Sequence, residues 1–149
     1  MACPPYGMPL CEELANRHAA KLALCAELEQ IADSLPGALN RHACLVIAAQ
    51  LLLVVREAQD FEEAALFPVF SGTFDREETL RRLRAEHVED EAAAEELTEE
   101  LLRIGHGGRV ANPEALGFML RAFFEAVRRH IAFEREHVMP LALASRTVF

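Results

Sequence analysis

Apolar residues recur at intervals of three and four along most of this 149-residue chain. That period matches one face of an α-helix and not the alternation of a half-buried strand. Gly and Pro divide the pattern into four segments. The first is predicted from about Leu10 to Leu35, with Leu14, Leu22, Cys25, Leu28 and Ile31 or Ala32 on one stripe and Pro36-Gly37 at its end. The second, from about Ala38 to Phe67, is unusually apolar through CLVIAAQLLLVV; Pro68 and then Ser71-Gly72 close it. The third opens near Thr73 to Asp75, where Asp75, Glu77 and Glu78 suit the positive end of a helix dipole. It runs to Ile104 and stops at GHGG, residues 105–108. In the fourth, Asn112 is a good N-cap and Pro113 a good first residue. That segment reaches about Met139, where Pro140 interrupts it.

Four such segments with short connections predict an all-α, up-down-up-down antiparallel four-helix bundle. One domain over residues 1–149 is expected, with an irregular arm at 1–9 and a tail at 141–149. Composition agrees: 25 Ala, 21 Leu and 20 Glu favour helices, whereas Val, Ile and Thr are scarce. A chain 52% hydrophobic can bury a sizeable core, which excludes disorder. The net charge of −9, with no basic face, argues against nucleic acid as a partner. Of the 15 basic residues only Lys21 is a lysine.

Cys3, Cys11, Cys25 and Cys44 are spaced unlike a zinc knuckle or a redox pair, so they read as thiols in a reduced compartment. The N-terminus has no secretory pattern, and the run Leu45 to Val55 falls far short of the ~20 residues that span a bilayer. A cytoplasmic protein with no membrane partner is expected.

The informative question for a bundle is which ionisable residues fall on the buried stripe. In the fourth segment His130 and Glu134 lie about 40° apart around the helix, on a stripe continued by Phe123, Val127, Val138 and Leu141. In the second, Glu62 shares a face with Ala48, Leu51, Val55, Ala58 and Leu66, whereas Asp60 and Glu63 fall off it and read as solvated. His87 joins Leu80, Leu83 and Ala94 in the third; His18 joins Leu14, Lys21, Leu22 and Cys25 in the first. Inward imidazoles and carboxylates are expensive unless paired. As a set they suit non-haem iron, manganese or zinc. The eight acidic residues from Glu86 to Glu100 otherwise read as a solvated face, and His42 and His106 as surface or loop residues.

These residues resemble the hemerythrin-like (HHE cation-binding) domain family. HIAFEREHVMP, residues 130–140, looks like one half-motif, His-x-x-x-Glu followed six residues later by Pro; FEEAALFP, residues 61–68, is similar to the other. Glu86-His87 and Arg17-His18 stand where the family's remaining histidines are expected, and the resemblance covers about residues 10–141. It implies a non-haem di-iron centre with metal ligands His18, Glu62, His87, His130 and Glu134, the two carboxylates bridging. One departure is evident: Ala58 stands four residues before Glu62, where the half-motif has His. The second iron is therefore in doubt, and Glu91, Gln59, water or nothing fills the vacancy; His137 is a further candidate.

The resemblance implies a protein that handles dioxygen, nitric oxide or iron as carrier, sensor or donor; it leaves a redox activity open, although turnover in the enzymatic sense is not expected. Two other readings compete with it. A metal-free helical interaction protein that has lost the site is supported by Ala58. A ferritin-like di-iron oxidase needs two Glu-x-x-His pairs, and only Glu134 to His137 supplies one. A homodimer is compatible with every reading.

Overall fold

The computed structural model describes residues 8–146, and among these every regular element is helical. Helix α1 (Met8–Ser34) is followed by α2 (Arg41–Ala48) and α3 (Leu51–Phe61), then a π-helical segment, Glu62–Leu66, and α4 (Phe67–Phe70). After a short turn come α5 (Phe74–Gly105) and α6 (Pro113–Phe133), a second π-helical segment, Glu134–Val138, and α7 (Met139–Arg146). The described residues thus form four long helical stretches, as the periodicity predicts. The Asn112 side chain accepts from Ala115 N–H, and Thr73 caps α5 in the same way through Arg76 N–H.

Three boundaries differ from expectation. Met8 and Pro9 are already helical, as Pro tolerates the first turn; the rest of the expected arm lies outside the described residues. The second stretch is interrupted at Ala49-Gln50, where neither Gly nor Pro marks a break. The expected tail is instead α7 as far as Arg146, with Ala142 and Leu143 buried and Leu141 43% exposed. The π segment accounts for that change of face. A wider turn rotates everything after it relative to a 3.6-residue stripe.

Helix α1 packs on α6 and α3, α5 packs on α2, α3 and α6, and α4 packs on α7. Gly105 permits one of these contacts, because a Cβ there would collide with Leu45. The interior forms two apolar clusters. One gathers Leu24, Cys25, Leu28, Leu51, Val55, Leu97, Leu101, Leu120 and Phe124. The other gathers Leu10, Leu14, Leu66, Phe67, Leu80, Leu83, Val138 and Leu143. Every long stretch contributes to both. Where the two contributions meet, each stretch carries its buried polar residues: His18 and Lys21, Gln59 and Glu62, His87, then His130 and Glu134. The core is therefore apolar, polar, then apolar along its length.

No described helix is long and apolar enough to cross a membrane. Cys25 and Cys44 are buried free thiols, as expected, but Cys11 is disulfide-bonded, which the spacing did not predict.

Candidate metal centre

All five residues singled out from the sequence lie in the polar layer, each at most 5% exposed. Glu62 is at its centre. Its Oε2 is 2.6 Å from His87 Nε2 and 3.7 Å from His130 Nε2. Its Oε1 is 3.8 Å from His18 Nε2 and 3.9 Å from Lys21 Nζ. Glu134 Oε1 faces His18 Nε2 at 3.2 Å and His130 Nε2 at 3.5 Å. Two groups of three result, Glu62 with His87 and His130, and Glu62 with His18 and Glu134. In each, one ligand atom per residue lies within 4.8 Å of the others.

Local backbone structure aims both carboxylates. Each π segment starts at its glutamate, and Phe67 and Met139 N–H donate to the Glu62 and Glu134 carbonyls five residues back. The next residues, Pro68 and Pro140, have no N–H, and a proline ring clashes with the carbonyl four residues earlier. Widening the turn accommodates that clash without ending the helix.

Around the five stand partners that helical phase does not reveal. Glu63, expected in solvent, is half-exposed, but its Oε1 lies 3.1 Å from His87 Nδ1. Glu86 Oε2 lies 3.1 Å from His130 Nδ1. Each of these histidines thus turns one nitrogen toward a carboxylate and the other toward the centre, an arrangement typical of metal-bound imidazole. The only hint in the sequence is adjacency, in Glu62-Glu63 and Glu86-His87. Phe67 stacks on His87 at 5.4 Å between ring centroids, and His87 on His130 at 5.3 Å.

The expected fillers of the Ala58 vacancy do not point into it. Glu91 accepts a 2.9 Å hydrogen bond from Arg56 Nε on the outer face. Gln59 is buried rather than turned away, but its amide donates to the His87 carbonyl at 2.8 Å. His137 is 61% exposed, beside Glu136 and Phe133, so the single ferritin-type pair fails as well. His42 and His106 are exposed, as expected.

Electrostatics reflect this crowding. Burial disfavours the imidazolium of His18 and His130, but Glu134 and Glu62 outweigh it and raise both pKa values, that of His130 to about 10. His87 is raised likewise, against burial, chiefly by Glu62. Burial favours the neutral acid at Glu62, yet His130, His18, His87 and Lys21 hold it well below the usual carboxylate range.

Even so, the set is not self-sufficient. His18 Nδ1, Glu62 Oε1, both His130 nitrogens and Glu134 Oε2 are buried and make no hydrogen bond, His130 Nδ1 despite the approach of Glu86. An orphaned buried polar group costs about 1–3 kcal/mol, and native interiors hold few. Carboxylate oxygens and imidazole nitrogens are ligands for a borderline divalent cation, so the residues present fit one. A cleft of about 350 Å³, lined by Arg82, Glu86, Asp90, Arg129 and His130 among others, takes in one residue of the layer, His130.

No curated protein and no solved structure matches the chain significantly. The model of one family, described as the hemerythrin HHE cation binding domain, matches residues 10–142 and so takes in the whole polar layer. The chain belongs to the hemerythrin HHE cation-binding domain family.

Proposed function

We propose that this chain is a single domain that binds non-haem iron through His18, Glu62, His87, His130 and Glu134. It handles dioxygen, nitric oxide or iron as carrier, sensor or donor. The carrying observation is the buried polar layer, with its orphaned carboxylate and imidazole atoms turned on one another. Membership of a cation-binding family supports iron as the ion. Successive helices meet the two apolar clusters in opposite order, which supports the up-down-up-down arrangement expected of such a bundle.

Iron held there would supply a Lewis-acidic, redox-active position open to a small diatomic molecule. The chain's own residues do the rest. Glu63 and Glu86 orient His87 and His130, which fixes the nitrogens that face the centre. Phe67, Leu66 and Val138, all fully buried, shield the layer from water on one side. The cleft lined by His130 brings open space up to one of the five residues.

Protein made with added iron and purified without oxygen should contain about one iron ion per chain or more by elemental analysis. Added iron should raise the melting temperature of the wild type but not of the His87→Ala/His130→Ala variant. Fewer than about 0.3 ions per chain, with no thermal shift, would leave the metal-free interaction reading instead.

A further inference from the structure

The two halves of the layer are not equivalent. On one side Glu62 Oε2 faces two imidazoles, His87 and His130. Two imidazoles and a carboxylate are a familiar set for a single non-haem iron(II) ion. On the other side Glu62 Oε1 faces one imidazole, His18, and the ammonium of Lys21. Ala58, fully buried on α3 one turn before Glu62, offers the layer no donor.

Lys21 is unusual in its own right. It is the only lysine in the chain, and its side chain is 7% exposed. Lysines are almost never buried unless paired, and on a helix surface they turn the ammonium to water. Here the ammonium turns inward, three residues along α1 from His18 and on the same face. An ammonium has three donors and no lone pair, so it cannot ligate a metal; at 3.9 Å it makes no hydrogen bond to Glu62 Oε1, but it offsets that carboxylate's charge as a metal would.

We propose that the Lys21 ammonium stands in for a second metal ion, so that Glu62 bridges one metal and one lysine, and the centre takes one ion per chain. This rests on the metal-binding reading above and adds its stoichiometry. Charge balance favours it. The two buried carboxylates are already matched by one divalent ion, and the ammonium then leaves the layer with a net positive charge. A second divalent ion would add two positive charges beside that ammonium in a poorly screened interior.

The inference separates the roles of Lys21 and Ala58. Metal-free protein is titrated anaerobically with iron(II) under equilibrium dialysis and the bound metal measured by elemental analysis, with helical circular dichroism as the check on folding. Saturation is expected at about one ion per chain for the wild type and for Ala58→His, because the ammonium is present in both. Lys21→Met/Ala58→His is expected to reach about two, as is Lys21→Gln/Ala58→His should the first variant fold poorly. Two ions in the wild type, two in Ala58→His alone, or one in the folded double variants would each overturn the proposal. No metal in any variant is a different failure, that of the metal-binding reading itself.

Discussion

The segments around Glu62 and Glu134 share a backbone but not a set of donor side chains. Both are five-residue π segments that start at the glutamate, and both are followed by a proline six residues after it, Pro68 or Pro140. Four residues before the glutamate, however, one has Ala58 and the other His130. The π geometry survives in the half that lacks the histidine. What aims the carboxylate inward is therefore the proline downstream, through its missing N–H and its clash with the preceding turn, not the ligand upstream. Site geometry and ligand identity are separable here. A half-motif can stand without its histidine and keep its glutamate in place.

The strongest test of that asymmetry compares the two glutamates. Glu62 belongs to both groups of three and to the Lys21 pair, whereas Glu134 belongs to one group. Glu62→Ala would leave His87 and Lys21 buried without their shared carboxylate. Removing one partner from a buried ion pair costs about 3–5 kcal/mol. Glu62→Ala is thus expected to abolish metal retention and to lower the stability of metal-free protein by roughly that amount. Glu134→Ala should weaken binding and destabilise less. Urea unfolding and elemental analysis of both variants measure this; equal losses would mean that the two carboxylates are interchangeable.

How much of the site is legible in the sequence depends on what a period of 3.6 can see. His18, Glu62, His87, His130 and Glu134 can be placed inward because an ionisable residue in phase with an apolar stripe is costly to bury and so rarely stands there without a partner. Glu63 and Glu86 cannot. Their Cα positions are off the stripe, but a glutamate is long enough to reach a neighbouring imidazole from there. Leu141 leaves its expected face because the stripe assumes an unbroken α-helix, and the Glu134–Val138 segment rotates the residues after it. Gln59 lies beside the small Ala58 on helix α3, and its amide finds the His87 carbonyl inside the bundle. The break at Ala49-Gln50 carries no Gly or Pro and has no mark in the sequence.

The orienting carboxylates come next in expected size. Glu63→Gln and Glu86→Gln keep the side-chain shape but remove the charge facing His87 and His130. Loss of such a partner typically weakens metal binding by about 10–100-fold. Glu63 and Glu86 serve imidazoles on the same side of Glu62, so the two variants should fall within that range together, measured by competition with a coloured chelator. A loss confined to one variant would show that only one imidazole holds the ion. Smaller still, Pro68→Ala and Pro140→Ala restore an N–H and allow a regular turn. Each is expected to preserve overall helicity while turning its glutamate away, weakening binding by roughly tenfold, a loss at the lower end of outer-partner effects. Unchanged affinity in both would dissociate the prolines from the aim of the carboxylates.

A last test belongs to the metal-free protein and again turns on His130, which has no counterpart at Ala58. A histidine whose pKa is higher in the folded than in the unfolded state stabilises the fold fully below the unfolded value, and that contribution is lost as pH rises through the folded value. For His130 the window runs from the ordinary 6.5 to about 10. Metal-free protein should therefore lose stability steadily across that range in chemical denaturation, and His130→Gln should flatten the slope. Glu62 does not oppose this. Its lowered pKa gives a contribution present above the ordinary carboxylate value and lost only on acidification. Bound metal should reverse the trend, because it requires imidazole without its proton and so stabilises more as pH rises. Equal alkaline slopes in wild type and His130→Gln would show that the carboxylates around His130 do not hold its proton in the folded state.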